Sequence, residues 1–400
     1  MIRRSDLNLL FLLKLLFIPI LYELVIGGGG RYLELGPLSF RMLFFGLSLA
    51  ISFVYYMNKE RIRKDVAIII MSFTIVTGFS ALIGVLNGAD KSLILADLKP
   101  LLFFYILLFF SLVIKDIDDI KRTSLIIKRG SVFLAGVYIL VIILLFLGRI
   151  DFNAFYQKQN EIGEVMFKND SLFFYKGFLY LCIGFFFFLF SKEKYSKLAL
   201  LLLFVSILLT LTRGFILFTA LIAGYYIFFI NKNNLLKGVV FLVGLASVII
   251  IAPIFFNAIG DKSDSDNVRY IQMAQVFADI NPLSIFIGHG FGIGVPIRPK
   301  GMEMSFLEIF HKQGLVGLGF WFGMFSYIFL MYLNIKNKEY KELALPFLLS
   351  VVFVILQSGT NPYMNNPIGL TVILITIVVF SKLSELQKKQ INDFSLHSQL

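Results

Sequence analysis

The strongest constraint on this chain is how little of it lies outside apolar runs. The hydrocarbon core of a bilayer is about 30 Å thick and takes about 20 residues of helix to cross. Twelve runs approach that length, at residues 8–26, 37–57, 66–87, 98–114, 130–148, 173–190, 198–212, 214–230, 238–257, 314–333, 343–358 and 368–383. With 58% hydrophobic and only 16% charged residues in 400, a soluble fold would need a larger core than single domains possess. The alternating ten-residue strands of a barrel are not visible, and helices are the other way to satisfy a backbone in lipid. The expected fold is all-α: a polytopic membrane protein of about twelve transmembrane helices forming one domain over residues 1–400. A large extracytoplasmic loop with short helices is expected at 258–313 and a cytoplasmic tail at 384–400.

The first run, LNLLFLLKLLFIPILYELVI, ends in no small-x-small cleavage site and reads as a retained span. The single cysteine, Cys182, falls within a span, which excludes an internal disulfide and cysteine-based metal sites. The three histidines, His289, His311 and His397, show no zinc spacing, so no metal is expected.

Lys and Arg gather on the cytoplasmic side of membrane proteins. The connections NKERIRKD, KDIDDIKRTSLIIKR, SKEKYSK, NKNNLLK and NIKNKEYKE are all basic and, with both termini, fit one side. That side holds 22 Lys+Arg against 11 Asp+Glu, nearly the whole net charge of +12. The basic balance is therefore topology, and it does not point to nucleic acid.

The outer half should be poor in cations, yet it holds Lys91, Lys99, Arg149, Lys158, Lys168, Lys176, Arg213, Lys262, Arg269, Arg298, Lys300 and Lys312, with Arg41 just inside a span. Snorkelling to lipid phosphates is the plain explanation for any one lysine. It fits Arg213 poorly, because LTLTRGFILF joins two apolar runs with almost no loop and holds that charge at a fixed depth.

Two outer segments are long, about 149–172 and 258–313. In NVRYIQMAQVFADINPL, Met273, Val276, Phe277 and Ile280 follow helical spacing, and Asn281-Pro282 reads as the stop. GHGFGIG follows, with Gly288, Gly290, Gly292 and Gly294 at alternate positions. It is neither a dinucleotide fingerprint nor a P-loop. Bare backbone there serves either a flexible entry to the next helix or close approach of a bulky substrate. In EMSFLEIFHKQG, Glu308 and Lys312 are placed to pair on a wet face with His311, while Glu303 falls at the helix start, where an acid is also the ordinary choice. His289 reads as a loop histidine or a catalyst. Tyr270 and Phe291 are candidates for stacking on sugars. Asp264 and Asp266 in DKSDSDN form an incomplete cation-loop pattern and are set aside.

These pieces carry a resemblance. A T-R-G hairpin, then a loop running N-V-R-Y, N-P-L, G-H-G-F-G-I-G, then E-M-S-F-L-E-I-F-H-K-Q-G-L-V-G-L-G, is similar to the O-antigen polymerase (Wzy) and O-antigen ligase (WaaL) superfamily of bacterial membrane glycosyltransferases. The motifs lie mostly within residues 208–320. The resemblance implies a site on the extracytoplasmic face of the bacterial inner membrane and a substrate of sugars linked to undecaprenyl pyrophosphate. It implies no cofactor, no nucleotide sugar and no metal. It places the pyrophosphate-holding arginines at Arg213 and Arg269. Ligases of this kind carry a histidine where this chain has Glu303, which favours the polymerase branch, with Glu303 as the base and inversion at the anomeric carbon. Arg41, Lys99, Tyr270, Arg298, His289, His311 and the four loop glycines are then expected to bind substrate. Expected partners are membrane lipid, a chain-length regulator and a flippase. The competing readings are a ligase and a lipid-linked oligosaccharide flippase; the unusual charges collect at the outer face instead of lining a path, and no internal repeat of the spans is evident.

Overall fold

The computed structural model describes residues 4–397 apart from 33, 36–37, 59–60, 169–170, 231–236 and 238–262. The expected span at 238–257 lies outside the described residues. Helices dominate: α1 (Arg4–Ile26), α2 (Phe40–Asn58), α3 (Lys64–Leu86), α4 (Lys91–Leu101), α5 (Leu107–Val113), α6 (Ile117–Phe146), α7 (Phe152–Ile162), α8 (Leu179–Leu189), α9 (Ser196–Leu209), α10 (Arg213–Tyr225), α11 (Ser263–Ala278), α12 (Pro282–Ile287), α13 (Ser305–Asn334), α14 (Lys338–Gln357) and α15 (Pro367–His397). Among the described residues the strands form two short antiparallel pairs, β1 (Glu34–Leu35) with β2 (Leu38–Ser39) and β3 (Val165–Phe167) with β4 (Phe173–Tyr175). Seven of the described helical stretches are long and apolar enough to cross a membrane, and three shorter apolar ones pack with them. The fold is an all-α polytopic membrane protein.

Local chemistry sets the helix ends. Asp90, Asp116, Asp151 and Asn337 each accept a backbone N–H in the first turn of α4, α6, α7 and α14. Pro100 breaks the fourth crossing, which continues as a 3₁₀ turn over Leu102–Ile106 into α5. Asn281-Pro282, expected to stop a helix, instead starts α12. The Asn281 carboxamide accepts from Leu283 and Ser284 N–H, and proline occupies the first helical position, where its missing donor is not needed. The expected span at 173–190 begins as strand β4, with helix only from Lys176 onward.

Burial separates two kinds of helix. In α8, the run from Leu179 to Ile183 and Phe186 are fully enclosed, and Cys182 lies among them. Helix α15 is buried along the whole of Ile373–Phe380. A helix apolar all round belongs at the centre of a bundle. By contrast α3 presents Ile68, Met71, Ile75, Leu82 and Leu86 outward in one stripe, which is the face a bilayer would cover.

Polar contacts define the two ends. At one, Lys128 pairs with Glu193, Lys192 with Glu342, Asp65 with Arg63 and Ser381, and the Gln387 carboxamide with the start of α14. The described parts of the basic connections, at 61–65, 115–129, 191–197 and 334–342, are thus gathered there. Lys14 joins the same set through Asp119, at 2.8 Å. The other end collects the segments 27–32, 87–90, 163–168, 171–176 and 289–303 with the start of α4, and the site lies among them.

Candidate active site

Helix α10 begins at Arg213 directly after the hairpin turn, in which Leu211 takes φ 48°. A cation in the first turn opposes the helix dipole, so this end of α10 strongly favours an anion. Asp266 on α11 supplies one, its Oδ2 3.3 Å from Arg213 Nη1. The other oxygen of Asp266 lies 3.1 Å from Arg269 Nη1, and Arg269 Nε lies 3.1 Å from Glu303 Oε2. Arg298 Nη2 completes the chain, donating to Glu303 Oε1 at 2.6 Å. Three guanidiniums thus alternate with two carboxylates.

The arrangement leaves donors in hand. Arg269 Nε is ion-paired with Glu303 but not aligned to hydrogen-bond it, and among the described residues it has no acceptor. Gln272, one turn further along α11 and fully buried, accepts the Glu303 N–H through Oε1 at 3.2 Å, while its Nε2 has no acceptor either. Buried donors are almost always matched, so two orphans three residues apart beside Glu303 mark a place for acceptor oxygens.

The apolar residues that follow helical spacing on α11 do not together form its buried face. Arg269, Gln272 and Val276 face the protein, whereas Met273 and Phe277 are exposed and Tyr270 is 72% exposed. Glu303 departs from expectation. Helix α13 starts at Ser305, and Met304 is its cap residue, so Glu303 precedes the helix and does not serve its first turn.

A cavity of about 440 Å³ adjoins this chain of charges, a size usual for ligand sites. Arg298, Lys300, Gly301 and Glu303 line one side; Phe291 and Trp321 give it aromatic walls. Its inner side holds a second polar group that the spacing did not reveal. Lys312 Nζ lies 2.6 Å from Glu308 Oε1 and 2.8 Å from Asp97 Oδ1, and Asn365 donates to Glu308 Oε2 at 2.7 Å. Glu308 and Lys312 do pair as expected, but they and His311 are buried, because α13 packs this face against the loop end instead of leaving it wet.

The four glycines of the run do not line the cavity; they lie against the protein's own chain. Gly290 sits at φ 90°, and a Cβ there would lie 2.1 Å from the backbone nitrogen of Gly84 on α3. Gly288 abuts the Lys312–Gln313 backbone in the same way, and Gly314, at φ 62°, breaks α13 where Phe286 approaches. His289 and Gly290 N–H donate to the carbonyls of His311 and Lys312, and Phe291 N–H to that of Ser80. Gly292 N–H donates to Asp97 at 2.8 Å, and Gly294 packs on the Arg298–Pro299 backbone. The glycines let the loop dock against the protein's own helices, and docking sets Phe291 into the cavity.

Of the remaining expected binders, Arg41 is elsewhere. It is buried, with Nη2 2.8 Å from Glu23 Oε1 and Nη1 donating to Gly28 O at 2.6 Å. It thereby neutralises the acid inside the first span. Lys99 is exposed on α4, two residues beyond Asp97 and outside the cavity lining. His289 and His311 meet each other beside Asp279, away from the cavity.

No protein-family model matches the chain. A protein of Shigella flexneri described as O-antigen polymerase is 30% identical over 369 residues, which cover 90% of this chain and 92% of that protein. An alignment of that identity running almost end to end, on a helical membrane bundle with its arginines and an acid gathered at one end, leads to one conclusion: the chain belongs to the O-antigen polymerase family.

Proposed function

We propose that this protein polymerises lipid-linked oligosaccharide repeat units on the extracytoplasmic face of the inner membrane. It transfers the growing glycan from undecaprenyl pyrophosphate to the terminal sugar of a new lipid-linked unit. Both termini then lie in the cytoplasm, and the transfer needs neither nucleotide sugar nor metal in its chemistry.

The observation that supports this best is the pair of orphaned donors, Arg269 Nε and Gln272 Nε2, set in a chain of three arginines. Guanidiniums match phosphate oxygens in geometry and charge. An arriving pyrophosphate competes with Asp266 for Arg213 and Arg269, and draws Arg269 from Glu303. That frees Glu303 Oε2 to accept the proton of the acceptor hydroxyl, whose oxygen attacks the anomeric carbon. The bond from that carbon to the pyrophosphate oxygen breaks, and the arginines stabilise the charge on the leaving group, often the largest electrostatic contribution to such a step. With a single base and direct attack the anomeric centre inverts. The cavity, with Phe291, Trp321, Asp97 and Asn365, holds the sugars of the donor or acceptor.

The test is the size profile of surface polysaccharide in a strain deleted for this gene and complemented with wild type, Arg213→Ala, Arg269→Ala or Glu303→Gln. The reading requires a ladder with wild type and single carrier-linked units with the variants. Full-length polymer stranded on its lipid carrier would indicate a ligase, and single units facing the cytoplasm a flippase.

A further inference from the structure

The glycine loop brings together three residues that the transfer chemistry does not use. Asp279 follows the end of α11, His289 sits within the loop, and His311 lies in the second turn of α13. One ligand atom from each lies within 4.8 Å of the other two. The imidazole centroids are 4.7 Å apart, and His289 Nε2 is 3.9 Å from Asp279 Oδ2. Among the described residues, His311 is 2% exposed and neither of its ring nitrogens has a hydrogen-bond partner. A neutral imidazole carries one donor and one acceptor, and burying both unmatched is costly. The ring is instead turned toward a second imidazole and a carboxylate, a donor set that matches a transition cation.

We propose that Asp279, His289 and His311 bind one divalent cation of the zinc class. Two nitrogens and one carboxylate suit zinc, whereas calcium and magnesium prefer all-oxygen shells. Bond lengths of about 2.0–2.1 Å place tetrahedral ligand atoms about 3.3 Å apart, so small side-chain rotations close the observed spacing. The fourth position opens past Asp279, whose side chain is 60% exposed, and takes water. The ion is structural. It ties the end of α11, the glycine loop and the start of α13 into one unit, reinforcing the His289 N–H to His311 carbonyl bond of 2.8 Å. It thereby holds the register of α11, the helix that presents Asp266, Arg269 and Gln272.

The test uses the full-length chain purified in detergent, stripped with a chelator, and titrated with zinc chloride while metal content and thermal melting are measured. The expected result is one zinc per chain and a rise in Tm of about 3 °C at a hundredfold excess over Kd. His289→Gln and Asp279→Asn, which change a partly covered ring and an exposed carboxylate and leave buried His311 in place, should melt like the stripped wild type and lose both the stoichiometric zinc and the rise. Zinc binding that survives in both variants, or a stripped wild type that takes up no zinc and gains no stability, overturns the site. Calcium or magnesium raising Tm as much as zinc does would overturn the assigned cation class. None of these readouts depends on glycan transfer.

Discussion

Replacing Gly290 by alanine separates a docked loop from a flexible helix entry. The new Cβ would lie 2.1 Å from Gly84 N, 2.5 Å from Gly84 Cα and 2.7 Å from the Ile83 carbonyl carbon, all backbone atoms of α3 that cannot swing aside. Ordinary contact begins near 3.4 Å, so the loop would have to retreat by about 1 Å. That retreat strains the Gly290 N–H bond to Lys312 O and the Phe291 N–H bond to Ser80 O, each 3.0 Å long. Overpacking costs about 1–3 kcal/mol, and holding an L-residue at φ 90° adds about 1–2 kcal/mol. The expected loss is therefore about 3 kcal/mol, a fall in Tm of roughly 4 °C for a chain of this length. The assay is thermal unfolding of the purified chain in detergent. Gly136→Ala serves as the control: that glycine lies within α6 with nothing inside 4 Å, so its variant should melt at or slightly above wild type. A Gly290→Ala protein that melts with wild type would refute the docked loop and restore the flexible one.

Arg41→Met strands the Glu23 carboxylate in the first span and should cost about 3–5 kcal/mol, with most of the loss recovered in the Arg41→Met, Glu23→Leu double variant; both are read by melting. Lys312→Met leaves Asp97 and Glu308 without their shared cation beside the cavity, and a destabilisation of about 3–5 kcal/mol is expected by the same measurement. Asp266→Asn acts in the opposite sense on ligand. Its ion pairs are largely exposed, so stability should change by less than about 1 kcal/mol, while calorimetric titration with inorganic pyrophosphate should show several-fold tighter binding as Arg213 and Arg269 are released.

The membrane bundle was legible because lipid admits few solutions. An apolar run of span length has to be a helix, and charges inside it have to find partners, as Glu23 does in Arg41 and Lys14 in Asp119. Arg213, Arg269 and Arg298 stood out for a related reason, since cations should be few where they lie, whereas Glu303 stood out only through the resemblance; the structure brings these four side chains together with Asp266. Pairings across the fold were not legible. Asp97 and Lys312 are 215 residues apart, and Asn87 and His289 are 202 apart, with no local pattern to join them. The same distance concealed the cause of the glycines, whose neighbours on α3 and α13 are remote in sequence. The helical spacing of Met273, Val276 and Phe277 does not reveal which side of α11 packs, and only Val276 of the three is buried. In the structure its polar side packs inward around Glu303, where Arg269 and Gln272 meet it. Asp266 was set aside with an incomplete calcium-loop pattern, although its position three residues before Arg269 already allowed a pair on one helix face.

The most direct test of the polymerase site is reconstitution: the purified chain in liposomes, supplied only with one undecaprenyl pyrophosphate-linked repeat unit, followed by glycan length and by release of undecaprenyl pyrophosphate. The site predicts a ladder with one carrier released per added unit, abolished by Glu303→Gln and by Arg269→Ala in proteins that still melt near wild type. A ladder of undiminished length and rate from both variants would contradict it.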